Sequence, residues 1–397
     1  MPTNPYARVQ EFMRDQRIDA WLVFDFRLNN PVLTRLMGGG KFHVTRRLYW
    51  LLPATGEPRC LCQTIDDAAF KKLGWPYTTY SGWRDMHEKV AAMLGNFRRV
   101  AMEYSPGGAI PMAGIVDAGT IEFIRSLGVE VVSSADLVQL HAAAWGEQGL
   151  ASHKDASTKC AKIMEEGFAF IGQKLKAGSP VTERDTQLFI LDRFKSAGLV
   201  TDSDPIVGVN ANAADCHYAP DDKTFKPINK GDWVLIDLWA KQPGDNSVYA
   251  DITWTGYCGK DVPAEKRRVY DIVRASRDAA VTAAQSAWKA GTPIEGWQLD
   301  EASRKVIIDG GFPHAIKHRT GHSLSPGTSG AHGIGMNLDN METHDTRRMM
   351  PGTGFTIEPG IYLDGSFGVR SEINVYVDPK TGPVVTSCVQ KDIVLIG

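Results

Sequence analysis

Two pairs of carboxylates recur at the same spacing in the second half of this sequence. Asp237 and Asp251 are 14 positions apart, and Glu358 and Glu372 are again 14 positions apart. Both Asp237 and Glu358 follow runs of apolar residues that are typical of buried strands. Because a bare carboxylate loses several kcal/mol on burial, acids in such strands need a compensating charge. We therefore expect divalent cations to neutralise them.

Histidines accumulate in the same part of the chain. Five of the ten lie between positions 314 and 344: His314, His318, His322, His332 and His344. Four acids and one imidazole suit a dinuclear site, so we expect two divalent ions per chain, preferably Mn²⁺, with Co²⁺ or Zn²⁺ as alternatives. Two metals about 3.5–4 Å apart can share a hydroxide nucleophile and stabilise a tetrahedral oxyanion. The pattern predicts hydrolysis without a serine or cysteine nucleophile.

The acids belong to a longer internal repeat. Three segments match in chain order at offsets of 113 and 121 positions: KAGSPV at 176–181 with KAGTPI at 289–294, GDWVLID at 231–237 with GTGFTIE at 352–358, and VYADIT at 248–253 with VRSEIN at 369–374. The repeat predicts two copies of a helix–helix–hairpin unit, packed about a pseudo-twofold axis. Each copy would present two carboxylates from adjacent antiparallel strands.

The first 145 residues carry no such cluster and show alternating strand and helix patterns. The polar stretch at 145–155 predicts a domain boundary, with a helix beginning beyond it. The predicted strands are Ala20–Phe24, Leu48–Leu52, Val100–Tyr104 and Val129–Val132, and the predicted helices lie near Arg84–Leu94, Met112–Ser126 and Ala135–Ala144.

Composition narrows the classes of partner. The chain has 397 residues, with 44 Lys and Arg against 46 Asp and Glu, so its net charge is −2. This balance argues against a nucleic-acid partner, and the lack of an 18-residue apolar run argues against a membrane partner. The amino terminus does not resemble a secretory signal, and the six cysteines are scattered. We expect reduced thiols and a cytoplasmic protein.

Four motifs together resemble the pita-bread metallopeptidase family, in its creatinase, aminopeptidase P and prolidase branch, and Xaa-Pro dipeptidases above all. The motifs are Asp237…Asp251, His318-Arg-Thr-Gly-His322, Ile357-Glu-Pro-Gly-Ile-Tyr362 and Arg370-Ser-Glu372. The resemblance covers nearly the whole chain. It implies a mixed α/β (α+β) fold, with a creatinase-like α/β domain over residues 1–145 and a duplicated pita-bread catalytic domain over residues 146–397.

The resemblance also implies a set of metal ligands. Asp237 would chelate one metal, while His322 and Glu358 would bind the other. Asp251 and Glu372 would bridge the two ions.

Further roles follow from the same motifs. Glu358 would shuttle a proton from the bridging water to the leaving nitrogen. His217 would position the substrate, His318 would lie near the leaving group, and His332 would help to hold the scissile carbonyl. Arg370 has two alternatives of equal weight: it receives the free carboxylate of a dipeptide, or it pairs with a metal-binding acid.

The histidine spacing departs from the family pattern. His322 and His332 are ten positions apart, where the corresponding histidines of the family are usually seven positions apart. A competing register makes His332 the metal ligand and His344 the substrate histidine. We prefer His322, because it keeps His318 four positions upstream.

The resemblance implies an enzyme that cleaves small Xaa-Pro peptides, and an Xaa-Pro dipeptidase using a metal-bridged hydroxide is the leading expectation. Aminopeptidase P, which removes the residue before proline from longer peptides, is the alternative. A creatinase-like hydrolase and a non-catalytic binding protein on the same fold are less favoured, because all five ligand positions are occupied. The family also suggests a homodimer.

Overall fold

The structure, a computed structural model, describes residues 4–36, 43–73, 76–327 and 330–397. The chain divides into two units, residues 1–142 and residues 143–397. Among the described residues, no helix has both the length and the apolar character needed to cross a bilayer.

The amino-terminal unit is built on a mixed sheet with strand order β4-β3-β2-β1-β5-β6. Strand β1 is buried from its first residue to Asp25, which explains why it reads as a continuous apolar run rather than an alternating one. The strands are β1 (Ala20–Phe26), β2 (Arg47–Pro53), β3 (Arg59–Gln63), β4 (Tyr77–Tyr80), β5 (Arg99–Met102) and β6 (Glu130–Ser133).

Helices connect these strands, and one begins later than predicted. The helix expected from Met112 begins at Ala118, because the Asp117 carboxylate accepts a hydrogen bond from the Thr120 amide (2.9 Å) and caps the helix there. The helices are α1 (Ala7–Asp15), α2 (Pro31–Leu36), α3 (Asp67–Leu73), α4 (Trp83–Leu94), α5 (Ala118–Ser126) and α6 (Ala135–Val138).

The carboxyl-terminal unit contains the predicted repeat. Its first half has α7 (Gly146–Lys176), α8 (Glu183–Ser196), β7 (Ile206–Val209), β8 (Trp233–Ala240) and β9 (Ala250–Tyr257). Its second half has α9 (Ala264–Ala290), α10 (Gly296–Asp309), β10 (Ser323–Leu324), β11 (Gly354–Ile357), β12 (Gly360–Leu363), β13 (Phe367–Arg370), β14 (Ile373–Asp378), β15 (Gly382–Val385) and β16 (Val394–Leu395).

Each half buries its own apolar layer between a helix pair and an antiparallel strand pair. In the first half, Phe168 of α7 packs in one core with Ile236 of β8 and Ile252 of β9. In the second half, Leu299 of α10 packs with Ile357 of β11. The helix–helix–hairpin unit therefore occurs twice, as the sequence repeat predicts.

Most of the polar stretch at 145–155 belongs to α7, which begins at Gly146, so the helix starts earlier than predicted. Two of its polar side chains are buried and hydrogen-bonded. The Ser152 hydroxyl accepts from the Val248 amide (3.1 Å). The His153 ring bonds to the Tyr249 carbonyl and the Thr386 hydroxyl, each at 2.8 Å. Polarity here marks buried hydrogen bonds rather than solvent exposure.

Candidate metal centre

The four acids reach the centre from two strand pairs. Asp237 lies on β8 opposite Thr253, and Asp251 lies on β9 opposite Trp239. In the second half, Glu358 directly follows β11 and Glu372 directly precedes β14. Because β11 pairs with β14 through Ile357 and Ile373, the two glutamates leave the ladder at the same end.

Reciprocal hydrogen bonds join the two halves beside these acids. The Asp251 amide donates to the Asn374 side-chain oxygen (3.0 Å), and the Glu372 amide donates to the Thr253 carbonyl (3.1 Å). Glu372 and Asn374 lie 121 positions after Asp251 and Thr253, respectively. The two hydrogen bonds therefore join equivalent positions of the two halves. These contacts are those expected of a pseudo-twofold axis between the halves.

The acids and one histidine form a buried cluster. One ligand atom each of Asp251, His322 and Glu372 lies within 4.8 Å of the others. The Nε2 atom of His322 is 3.5 Å from a carboxylate oxygen of Asp251 and 3.4 Å from one of Glu358. His322 is 3% exposed and Glu372 is 2% exposed, so water offers these charges little compensation.

Arg370 completes the cluster as its buried cation. The guanidinium is 3% exposed and donates to the Asp237 carboxylate, to the Thr253 hydroxyl (2.9 Å) and to the Tyr362 hydroxyl (2.9 Å). It therefore neutralises one acid of the four and holds that acid in place.

Two carboxylate oxygens in this cluster have no hydrogen-bond partner among the described residues. They are Oδ1 of Asp237 and Oε1 of Glu372, and both are fully buried. An unpartnered buried charge is costly, so these atoms call for a ligand of the opposite charge. Carboxylate oxygens with one imidazole are a donor set that fits divalent Mn, Co or Zn ions. The residues present therefore fit the expected metals.

The pKa values describe the same imbalance. Burial raises the pKa of Asp251 and of Glu372 well above the usual range, and the neighbouring acids raise both further. Burial also raises the pKa of Asp237 to about 7, although Arg370 opposes this. Burial alone would raise the pKa of Glu358, but His322, His318 and Arg370 outweigh it and lower the pKa below its ordinary value. Glu358 is thus the acid of the four that is most readily ionised.

His318 and His332 lie near the cluster. The His318 Nε2 atom is 2.6 Å from the Tyr362 hydroxyl, and burial lowers the pKa of His318 to about 4. The His332 ring centroid is 4.1 Å from that of His322. The His322 imidazole, with burial as the second cause, lowers the pKa of His332 to about 4.

His217 and His344 have different surroundings. His217 is exposed, and its ring makes no hydrogen bond to any residue that the structure describes. His344 is also exposed; its ring bonds to the Asn340 side chain (2.8 Å) and packs beside Trp297. The structure places the His322 ring beside the acids, whereas the His344 ring contacts Asn340 and Trp297. Which histidine binds a metal stays a prediction.

The sequence pattern of metallopeptidase family M24 matches residues 153–379, which is more than half of the chain. The chain belongs to metallopeptidase family M24. The predicted family is thereby confirmed.

The chain is also similar to named peptidases and to solved structures. The chain is 26% identical to a probable dipeptidase, PepE, of Mycobacterium tuberculosis, over 87% of this chain and 84% of that protein. It is 33% identical to an Xaa-Pro dipeptidase of Lactobacillus delbrueckii subsp. lactis, over 52% of each. The crystal structure of dipeptidase PepE from Mycobacterium ulcerans matches with a TM-score of 0.68 at 21% identity, over 99% of this chain and 97% of that one.

A prolidase structure from Pyrococcus furiosus gives a TM-score of 0.56 at 20% identity, over 96% of this chain and all of that one. The mixed α/β pita-bread fold that the sequence predicts is confirmed by these matches.

Three residues that contact this cluster have no role predicted from the sequence. Tyr362 joins His318 to Arg370, and Thr253 binds both Arg370 and Glu372. Asn374 links the halves through Asp251. The repeat already carried a signal for two of them, since Thr253 and Asn374 occupy matching places 121 positions apart.

Proposed function

We propose that this chain is a dinuclear-metal hydrolase that cleaves Xaa-Pro dipeptides. One observation carries the proposal: four acids and His322 converge in a buried cluster, and two of its carboxylate oxygens have no hydrogen-bond partner in the described part of the chain. A scaffold gains nothing in stability from such oxygens, whereas a metal centre requires them.

In this proposal Asp237 would hold one ion, His322 and Glu358 would hold the other, and Asp251 and Glu372 would serve both. Mn²⁺ is the preferred ion, with Co²⁺ or Zn²⁺ as alternatives. When bound, divalent cations supply Lewis-acid chemistry: they lower the pKa of water and polarise a carbonyl group.

Glu358 is the proposed proton carrier. Its side chain is 15% exposed, which leaves it access to a substrate, and its lowered pKa keeps it ionised and ready to accept a proton. The Thr356 hydroxyl donates to its Oε1 atom at 3.1 Å and fixes the carboxylate. Glu358 would accept a proton from the attacking water and pass it to the leaving nitrogen.

Three histidines have proposed substrate roles. His318 would lie near the leaving group, and its lowered pKa keeps the ring neutral at pH 7, so that one nitrogen donates and the other accepts. His332 would help to hold the scissile carbonyl, and His217 would position the substrate from its exposed loop.

For Arg370 we propose the second of its two alternatives, pairing with a metal-binding acid. Each of the three nitrogens of its guanidinium donates within the protein, to Asp237, Thr253 and Tyr362. A dipeptide carboxylate would have to displace one of these buried contacts. Arg370 is therefore a positioning residue for Asp237 in this proposal.

The names of two relatives support a dipeptidase, and one of the two names supports proline-directed cleavage. Two are named as dipeptidases, and one of these as an Xaa-Pro dipeptidase. Their agreement favours dipeptides over longer chains.

Turnover of Ala-Pro, Ala-Pro-Ala and Ala-Ala tests the proposal, after chelation and after return of Mn²⁺. We expect Ala-Pro to be cleaved only with metal, and Glu372→Gln to lose most activity, while the exposed Glu265→Gln keeps it. Cleavage of the tripeptide alone would instead favour aminopeptidase P. Two bound metals without cleavage of any Xaa-Pro peptide would favour a non-catalytic binding protein.

The proposal also covers domain organisation and oligomeric state. Residues 1–145 would form a creatinase-like domain, and residues 146–397 would form the catalytic domain. The chain would assemble as a homodimer. Light scattering of the purified chain checks this assembly, and a mass near 43.6 kDa would reject it.

A further inference from the structure

The amino-terminal unit contains a cavity of about 620 Å³. Every residue that lines it lies between Phe24 and Phe123, so no residue of the metal centre contributes. Its walls come from the end of β1, from β2, from α4 and from the start of α5. A volume of this size falls in the range of sites for small organic ligands.

Aromatic rings form two of the walls. His87 of α4 stacks on Phe123 of α5, with ring centroids 4.0 Å apart and planes 20° apart. Phe24 of β1 packs against Tyr49 of β2 at 5.2 Å. Such surfaces accept an aromatic or large aliphatic side chain by stacking and by burial of apolar area.

Tyr49 supplies a polar group without a partner. Its side chain is 1% exposed and lines the cavity, and its hydroxyl makes no hydrogen bond to any residue in the described part of the chain. Burial raises the pKa of Tyr49, so the phenol remains a donor. A hydroxyl that lines a cavity and has no protein partner can donate a hydrogen bond to an acceptor on a ligand.

The cavity wall also carries one cation and one anion. Within the described ranges, the Arg47 guanidinium has no carboxylate within 4 Å and donates only to the weak acceptor Sδ of Met86, at 3.9 Å, while it attracts the Asp117 carboxylate at longer range. Asp117, on the same wall, is exposed at the start of α5. The carboxylates of both acids also accept hydrogen bonds within the protein: that of Asp117 from the Thr120 amide and hydroxyl, and that of Asp25 from the Leu28 and Asn30 amides. A ligand with one charge of each sign complements Arg47 and Asp117.

The backbone beside the cavity is strained. Arg27 and Leu28 have φ values of 64° and 59°, a left-handed conformation that non-glycine residues rarely adopt. The buried Asp25 carboxylate holds this turn at 2.7 Å from the Leu28 amide. Strain of this kind is often kept where a fold positions ligand-binding groups.

We propose that this cavity is a second ligand site, which binds a free amino acid zwitterion with an aromatic or large apolar side chain. Arg47 and Tyr49 bind the carboxylate, and Asp117 binds the ammonium group. The side chain lies against the rings of Phe24 and Phe123. The site does not depend on the function proposed for the metal centre.

Calorimetric titration of the full chain with L-phenylalanine tests this inference. We expect saturable binding, at least about tenfold weaker for 3-phenylpropionate and for 2-phenylethylamine, since each lacks one charge-assisted hydrogen bond. Arg47→Gln should weaken binding by a similar factor. The matched variant Arg46→Gln removes a neighbouring exposed arginine that does not line the cavity, and it should bind as the parent chain does.

Two further variants separate this site from the metal centre. Tyr49→Phe keeps the ring and removes only the hydroxyl, so it should weaken binding severalfold even if Arg47→Gln fails to fold. Glu372→Gln should leave L-phenylalanine binding unchanged. Three results would each overturn the inference. They are the absence of saturable binding, an affinity of Arg47→Gln and Tyr49→Phe equal to that of the parent chain, and loss of L-phenylalanine binding in Glu372→Gln.

Discussion

His322 and His332 are ten positions apart in the chain, yet their rings lie 4.1 Å apart in the structure. Only His322 has its Nε2 atom within 3.5 Å of both Asp251 and Glu358. The two imidazoles are therefore near neighbours with different surroundings. Proximity to the acids favours His322 as the ligand, while the exposed His332 is better placed to reach a substrate.

Because of this difference, substitution by glutamine should have a different effect at each of the two positions. His322→Gln should bind one ion fewer per chain, because a neutral amide is a much poorer ligand for these metals than imidazole. His332→Gln should bind as many ions as the parent chain and lose about 10²-fold or more in turnover. Metal content per chain, by elemental analysis after dialysis, measures the first effect. The reverse pattern would assign the ligand role to His332.

At the scale of elements, close backbone packing fixes the segment that carries His322. A Cβ atom on Gly321 would lie 2.1 Å from the Thr356 carbonyl oxygen of β11. The next residue is held by the same partner, since the His322 amide donates to the Thr356 hydroxyl at 2.9 Å. Only glycine allows this approach, because backbone atoms on both sides cannot move apart cheaply.

Gly321→Ala should therefore lower the free energy of unfolding by about 1–3 kcal/mol through overpacking, and should weaken metal binding by displacing His322. Gly172→Ala is the matched control: it lies within α7, where the new Cβ would meet Ile396 at an ordinary 3.5 Å. That variant should gain about 0.5–1 kcal/mol from helix propensity. Chemical denaturation of both variants measures the contrast, and equal stabilities would reject it.

Helix α7 is joined to the sheet by a histidine whose titration should affect stability. Burial lowers the pKa of His153 from 6.5 to about 4. Below pH 6.5 the unfolded chain takes up a proton that the folded chain refuses until about pH 4. The free energy of unfolding should therefore fall between these pH values, by as much as about 3 kcal/mol.

Unfolding of the parent chain and of His153→Gln at pH 7 and pH 4.5 isolates this contribution. The parent should lose more stability than the variant between the two pH values, since glutamine does not titrate. His344→Gln, which changes an exposed histidine, should lose as much as the parent. A pH-dependent loss that is the same in all three would show that His153 does not contribute.

At the scale of the whole molecule, the charges nearly cancel, with a net charge of −2. Four acids nevertheless share one buried centre, where Arg370 neutralises only Asp237 directly. The raised pKa values of Asp251 and Glu372 mean that this concentration of charge destabilises the metal-free fold. The acids that would bind metal therefore lower the stability of the metal-free protein.

The conflict predicts a reversal of stability order. In chelator, Glu372→Gln should be more stable than the parent by roughly 1–3 kcal/mol, because it removes a buried like charge and keeps an oxygen for the Thr253 hydroxyl. In Mn²⁺ at about 100 times its Kd, the parent should gain about 2.7 kcal/mol, which the variant lacks. Denaturation curves in both buffers measure the effect, with Glu265→Gln as control. An unchanged order would argue against a cation-dependent cluster.

Much of the fold and of the site is predictable from the sequence. The 14-residue spacing of the acids and the offset of 121 positions identify the duplicated hairpins, because strand periodicity and turn length are local properties. The start of α7 could not be predicted, since the polar residues Ser152 and His153 find their partners some 96 positions later. Only packing shows that they are buried.

The sequence by itself determined which side chains could hold metals and that they come in two related pairs. The tertiary structure alone decided how these pairs meet, through the contacts of Asp251 with Asn374 and of Thr253 with Glu372. It also directed Arg370 to Asp237, a choice that remained open in the sequence. The reason is physical. The periodicity that predicts a helix or a strand depends on neighbouring positions in the sequence, whereas a contact between residues more than 100 positions apart depends on how the two halves pack against each other.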